Sequence, residues 1–239
     1  MKGESVRGRL PAFLARYLWF FETAIEDAVD AFARSLKPRA RVLDAGAGEG
    51  QYRRLFPSAR YTGLDLAVGD TAWDYTRLDV LGDLTALPFP NGCFDAALNI
   101  VTLEHVRDPA TVLREIGRVL CPDGRLLLVV PQDWEVHQSP HDYFRYTRHG
   151  VRHLLESAGF DSIHIEAGGG YFRLMGRRML NGAQFFKGLW LIPALLVLAP
   201  AGLLFPLFDR LDRNRDFTLG YICTARRTAN SVQSKVDGT

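Results

Sequence analysis

The stretch Val42-Leu43-Asp44-Ala45-Gly46-Ala47-Gly48-Glu49-Gly50-Gln51 constrains this chain more than any other. Val42 and Leu43, after Arg41, read as the end of a short buried strand. Three glycines at alternate positions then make a tight turn, and Glu49 onward can open a helix. Without Cβ atoms the backbone can approach a ligand closely, and glycine tolerates positive φ. Such a turn between strand and helix is a nucleotide-cofactor site of an open α/β sheet. The dinucleotide fingerprint G-x-G-x-x-G is not met, because the third glycine falls one residue early and Gln51 stands where Gly or Ala is wanted. Asp44 adds an acid at the strand's carboxyl end. A surface loop with no ligand is the alternative that these ten residues alone leave open.

The chain continues as alternating strands and helices. Gln51 to Phe56 reads as helical and Pro57 closes it; Ala59 to Leu66 reads as a second strand. That strand ends in Gly63-Leu64-Asp65-Leu66, with Asp65 21 residues after Asp44. An acid there can accept hydrogen bonds from both ribose hydroxyls. Arg77 to Asp83 reads as a third strand, followed by Leu84-Thr85-Ala86-Leu87-Pro88-Phe89, a Pro90-Asn91-Gly92 turn and a fourth strand from Phe94 to Asn99.

Asp44, Gly46, Gly48 and Gly50 together resemble motif I, D-x-G-x-G-x-G, of the class I S-adenosylmethionine (SAM)-dependent methyltransferases. Gly82-Asp83 through Leu87-Pro88-Phe89 to Phe94-Asp95 resembles the G-D-x-x-x-L-P-F … F-D pattern of the same superfamily, in the branch that includes the ubiquinone/menaquinone C-methyltransferases. The resemblance covers residues 41–160 well and 161–226 in outline. It implies a Rossmann-like α/β fold: a seven-stranded, mostly parallel sheet with flanking helices and an antiparallel last strand. It also implies SAM as cofactor. Asp44 would face the cationic amino-acid end, with Gly46, Gly48 and Gly50 forming the loop. Asp65 would meet the ribose, with Leu66 beside it a further cofactor contact, Asp83 the adenine amino group, and Leu84 the ring through its amide and side chain. Asn99, at the end of the fourth strand, completes the candidate contacts.

Candidates for the chemistry follow the fourth and fifth strands. Leu103-Glu104-His105-Val106 is common in that branch; His105 either orients substrate and takes a proton, or anchors its loop. Asp108 caps a helix whose first residue is Pro109. After a continuous apolar strand from Arg125 to Val130, residues 131–148 gather Trp134, Glu135, His137, His141, Asp142, Tyr143, Arg145 and Tyr146. An oxygen, nitrogen or activated carbon acceptor must lose a proton on methylation. His141 or His105 is the candidate base, with Asp142 or Tyr143 orienting substrate. The alternative is that His141, Asp142 and Arg145 form a hydrogen-bond cluster that fixes the loop. His137 and His141 have the i, i+4 spacing of a metal pair, but Pro140 disfavours an intervening helix, so no metal is expected.

Two apolar segments frame this domain. Phe13 to Leu36 reads as one amphipathic helix, within an N-terminal segment 1–40. It is a cover for the sheet, a substrate lid or a membrane-touching surface. Gly188 to Phe208 is 21 residues without a charge, inserted between the sixth and last strands (Asp161 to Ala167 and Phe217 to Arg226). About 20 apolar residues can span a bilayer. If the flanking strands pair in one sheet, both ends lie on one side, which favours a re-entrant hairpin or an interfacial helix pair over a single span. Arg173, Arg177, Arg178 and Lys187 before it, and Arg210, Arg213 and Arg215 after it, suit two cytoplasmic ends. A buried hairpin or a dimer interface is the alternative.

Composition narrows the field further. A net charge of +2 says little about nucleic acid, but no basic tract with interleaved aromatics is present, so no nucleic-acid partner is expected. Three widely spaced cysteines suggest reduced thiols in a cytosolic setting. Residues 1–9 lack the apolar run of a secretory signal, and the tail 227–239 reads as disordered. The expectation is therefore a cytoplasmic SAM-dependent methyltransferase domain, residues 41–226, at or near the membrane, acting on a small or lipid-linked acceptor. A non-catalytic SAM-binding module serving membrane-associated assembly or regulation is the competing reading.

Overall fold

The computed structural model describes residues 11–69 and 72–229. The readings made of residues 1–9 and of the tail beyond Ala229 lie outside the described residues, but Arg227, read as the start of the disordered tail, is buried at the end of the last strand. The chain divides into two compact units, Asp27–Glu166 with Tyr221–Thr239, and Met1–Glu26 with Ala167–Gly220.

The larger unit is built on the sheet. Its strands are β1 (Arg41–Ala45), β2 (Arg60–Asp65), β3 (Val80–Leu81), β4 (Phe94–Ile100), β5 (Leu120–Pro131), β6 (Phe160–Ala167) and β7 (Gly220–Arg227). They lie in the order β3-β2-β1-β4-β5-β7-β6. The β3-β2, β2-β1, β1-β4 and β4-β5 pairs are parallel. Thr228 N–H donates to the Gly159 carbonyl and Gly168 N–H to that of Gly220, so β6 and β7 run antiparallel. This is the seven-stranded, Rossmann-like mixed sheet that the sequence implied. Val42, Leu43, Ala96 to Leu98 and Leu126 to Val130 are buried, as parallel central strands require. Chain order reverses between β1 and β4, and in open α/β sheets the crevice at that switch point holds the ligand.

Local physics moved several boundaries. The helix expected after the glycine turn is a single 3₁₀ turn, Arg53–Leu55. Gly48 (φ +53°) and Gly50 (φ +69°) are left-handed, so a right-handed helix cannot start until after them, and Pro57 ends what remains. The third strand shortens to two residues, preceded by a 3₁₀ turn at Tyr75–Arg77. The fifth strand lengthens, because Pro122-Asp123-Gly124 forms an irregularity within it: Phe94 pairs with Leu120 and Ala96 with Arg125. The helix Pro109–Val119 opens as expected, with Asp108 accepting from Thr111 N–H at 3.0 Å.

The N-terminal helix is two: α1 (Ala12–Leu18) and α2 (Phe20–Arg34), broken at Trp19 with ψ 48°. Neighbours on one helix point about 100° apart. Here Phe20 and Phe21 are both buried, against the Gly168-Gly169 turn, where a Cβ would lie 2.6 Å from Phe20 and 2.1 Å from Phe21. After α3 (Pro109–Val119) and α4 (Arg148–Ser157), the smaller unit contributes α5 (Tyr171–Gly182) and α6 (Leu191–Leu204). The apolar segment 188–208 thus makes one long helical arm, and its partner is α5. The two cross where Gly202 approaches Leu180: a Cβ there would be 2.5 Å away. At one end of the pair Asp209 accepts from Gly170 N–H (3.1 Å) and Arg173 N–H (3.0 Å), while Asp212 accepts from Tyr171 N–H (2.8 Å). These carboxylates satisfy the free donors at the start of α5. At the other end the connecting segment exposes Phe185 (80%), Leu189 (88%) and Trp190 (75%).

Candidate functional site

Asp44 sits second from the end of β1 and is 1% exposed. The Tyr61 hydroxyl donates to its Oδ2, and its Oδ1 is buried without a partner. Burial pushes the Asp44 carboxyl up to about 7; the Tyr61 hydrogen bond opposes this, the Asp65 charge adds to it and Arg53 offsets part. A buried acid with one unpaired oxygen is costly to a ligand-free fold and suits a cationic ligand. The turn after it is forced. Gly46 adopts φ +92°, and a Cβ there would lie 2.2 Å from Thr102 Cγ2. Thr102 Oγ1 in turn donates to the Gly46 carbonyl at 3.2 Å.

Asp65, at the end of β2, accepts from Gly48 N–H (3.0 Å) and from Ala67 N–H (2.8 Å). It therefore fastens the glycine turn to the second strand, and each oxygen retains a lone pair. Leu66 beside it is exposed. Asp83 Oδ1 accepts from the Thr85 N–H and hydroxyl, both at 2.8 Å, as a turn cap, and Leu84 is buried. Asn99 is fully buried; its amide donates to the Ala45 carbonyl at 2.7 Å, so it supports the turn from the neighbouring strand. Two residues of this region were not singled out by sequence. Tyr61 faces Asp44 because β1 and β2 pair in parallel, Val42 opposite Tyr61. Trp73 lies 3.5 Å from where a Gly48 Cβ would sit.

The loops after β4 and β5 face one another, since these strands are neighbours. Glu104 is fully buried, and neither carboxylate oxygen has a hydrogen-bond partner. Its backbone carbonyl accepts from Tyr143 N–H (2.9 Å) and Phe144 N–H (3.3 Å), clamping the second loop onto the first. His105 Nδ1 lies 2.7 Å from the His141 carbonyl, and its Nε2 lies 3.1 Å from His137 Nε2. His137 thus meets His105 and Glu104; the i, i+4 pairing with His141 that the sequence reading weighed for a metal is not the one on which its ring lies. Interaction with Glu104 raises the His137 pKa above the ordinary value, with burial acting against it.

Asp142 is not a free catalytic group. Arg145 binds it through two nitrogens at 2.6 and 2.8 Å, and His137 N–H donates to it at 2.8 Å. The Arg145 guanidinium holds its carboxyl well below the usual range. The cluster that braces the loop, one of the two readings of this string, accounts for Asp142. His141 keeps a partly exposed ring whose Nδ1 meets the Tyr143 hydroxyl at 3.1 Å, and Arg107 Nε donates to the same hydroxyl at 3.3 Å. What sequence reasoning missed is Glu104. Its signal was the Glu104-His105 pair following one central strand, and His137 following the next.

Residues 43–128 match the family described as "Methyltransferase domain". A probable SAM-dependent methyltransferase of Mycolicibacterium smegmatis is 31% identical over 151 residues, covering 57% of this chain and 59% of that protein. A demethylmenaquinone methyltransferase of Renibacterium salmoninarum is 33% identical over 113 residues, 44% of each chain. The chain spans roughly half the length of such curated relatives (41% and 59% of two of them). The 1,6-didemethyltoxoflavin-N1-methyltransferase of Burkholderia thailandensis shares the fold, with a TM-score of 0.56 at 21% identity, over 95% of this chain and 89% of that one. The residues present fit SAM: an unpaired buried carboxylate oxygen for a cation, a turn without Cβ atoms for close approach, and acids at the ends of β2 and β3. By motif, sheet and match, residues 43–128 are a methyltransferase domain on a sheet of the kind found in class I SAM-dependent methyltransferases.

Proposed function

We propose that this chain is a SAM-dependent methyltransferase that works at a membrane surface on a lipid-linked or other small apolar acceptor. The observation that carries the methyl-transfer reading is Asp44, buried, with one oxygen unpaired, beneath a glycine turn at the sheet's switch point. SAM bound there supplies an electrophilic methyl sulfonium. The residues of this chain then bind, orient and exclude water, which is the larger part of an in-line displacement. His141, with Tyr143 beside it, is the histidine left to accept an acceptor proton, since His105 and Asp142 are held by other groups.

The membrane part rests on the smaller unit. A helix that is apolar on every side belongs inside protein or lipid. Over Gly188–Leu211 only 11% of the most apolar window is buried. Gly168 N–H bonds the Gly220 carbonyl, so the segment leaves and returns at one place, which fits a hairpin dipping its aromatic end into one leaflet. Lys187 at that end suits phospholipid headgroups. A relative named for demethylmenaquinone makes that compound a first acceptor to try.

The test supplies methyl-labelled SAM to the purified chain with bacterial membrane lipids. The reading expects label in the organic extract, dependent on Asp44. Bound SAM with no label in either phase would favour a SAM-binding assembly factor, and label confined to water-soluble products would overturn the lipid part.

A further inference from the structure

We propose that Glu104, His105 and His137 form a binding site for a divalent transition-metal ion of the zinc class. The geometry carries it. His105 Nε2 and His137 Nε2 are 3.1 Å apart, and each lies 3.7 Å from Glu104 Oε1. An ion about 2.0–2.1 Å from three ligands in a tetrahedron places those ligands about 3.4 Å from one another. The three atoms are the one such group among the described residues.

Tautomers sharpen the case. His105 Nδ1 lies 2.7 Å from the His141 carbonyl and His137 Nδ1 lies 2.9 Å from the Glu135 carbonyl. A carbonyl only accepts, so both Nδ1 atoms carry hydrogen. In neutral rings both Nε2 atoms then present lone pairs, and these face each other. The third member is a fully buried carboxylate whose two oxygens lack any hydrogen-bond partner. Three lone-pair donors converge there, and either a metal ion or a proton on one ring must lie between them. Metal-binding histidines characteristically donate their other N–H to a backbone carbonyl, as both do here.

The loop string then acquires a purpose that a linker would not need. Arg145 grips Asp142, Asp142 accepts from His137 N–H, and Tyr143 and Phe144 N–H bond the Glu104 carbonyl. Each bond fixes His137 against Glu104. Two histidines and one glutamate fill three positions of a four-coordinate ion. The histidine side chains are 11% and 25% exposed, so the fourth faces outward to water or to an oxygen of the acceptor. An acceptor hydroxyl in that position becomes more acidic, which is what methylation of oxygen needs. The metal site does not depend on the methyl-transfer reading, and its test is separate.

The full chain, stripped with chelator, is titrated with Zn(II) and with Co(II). The site predicts one equivalent of either ion, a visible d–d band typical of tetrahedral Co(II), and a rise in melting temperature of the unmutated protein with added Zn(II). Glu104→Gln and His137→Gln each weaken binding at least 100-fold with SAM affinity unchanged. His149→Gln/His153→Gln, which removes the exposed histidine pair of α4, retains it. No stoichiometric ion and no thermal shift in the folded chain would overturn the proposal, leaving a proton on His137 as the cation. An ion lost in the His149/His153 variant would overturn it equally.

Discussion

Asp44→Asn should strengthen the ligand-free fold at high pH while removing SAM binding. Burial raises the Asp44 carboxyl from 3.8 to about 7 in the folded chain. The folded state therefore binds the proton more tightly than the unfolded state, and this group's contribution to stability falls as pH rises between those values. Linkage gives a loss of about 2.5 kcal/mol between pH 5 and pH 8. Asparagine does not titrate and can still accept from Tyr61. The stability of Asp44→Asn minus that of the parent should thus climb by about 2.5 kcal/mol from pH 5 to pH 8, or about 5–10 °C in melting temperature for a chain of this size. Urea titrations of both proteins, free of ligand, at the two pH values read the difference, and other titrating groups cancel. Saturating SAM at pH 8 should then stabilise the parent and leave the variant unmoved. A difference that is flat with pH, or that falls, would refute the assignment of Asp44 as an unsatisfied buried acid.

Gly46→Ala combines φ +92° with a Cβ 2.2 Å from Thr102 Cγ2, so thermal melts should show a loss of roughly 2–4 kcal/mol, and Thr102→Ser should recover only part of it. Arg145→Met removes both nitrogens from the almost fully buried Asp142 and should cost about 2–4 kcal/mol near neutral pH, with faster amide exchange across residues 133–146. Because the Asp142 pKa is lowered, that loss should shrink as pH falls below the ordinary carboxylate value. Leu189→Glu/Trp190→Glu alters exposed side chains, each worth about 1.5–3 kcal/mol on burial; binding to anionic phospholipid vesicles should weaken at least 100-fold with the melting temperature unchanged. His141→Gln should keep SAM affinity and lower turnover by about 10²–10⁴-fold; full turnover would remove its role as base.

The sheet was legible because its signals are local and chemical. Alternate glycines after Val42-Leu43-Asp44, an acid closing the next strand and a continuous apolar run at Leu126 to Val130 each specify backbone or burial within a few residues. The boundaries that moved depended on packing. Phe20 and Phe21, which open the helix after the break at Trp19, both bury against glycines some 150 residues later, a contact that helical spacing does not announce. The lone helical turn after the glycine loop depends on Gly48 and Gly50 taking left-handed φ, which the residue type allows but does not compel. Asp65, Asp83 and Asp142 were found as acids, but their partners were not. Gly48, Thr85 and Arg145 hold them through contacts that no spacing announces. Glu104 was hidden most deeply, since its meaning depends on His137, brought to it by the adjacency of β4 and β5.

Methyl transfer by this chain depends on SAM binding at the glycine turn between Asp44 and Asp65. Calorimetric titration of the purified chain with SAM and with S-adenosylhomocysteine at pH 8 tests it most directly. One site per chain is expected for each ligand, with SAM affinity about tenfold weaker at pH 6, where most of Asp44 is protonated, and no SAM uptake by Asp44→Asn at either pH. A folded chain that takes up neither ligand, or binds SAM equally well with asparagine at position 44, would contradict it.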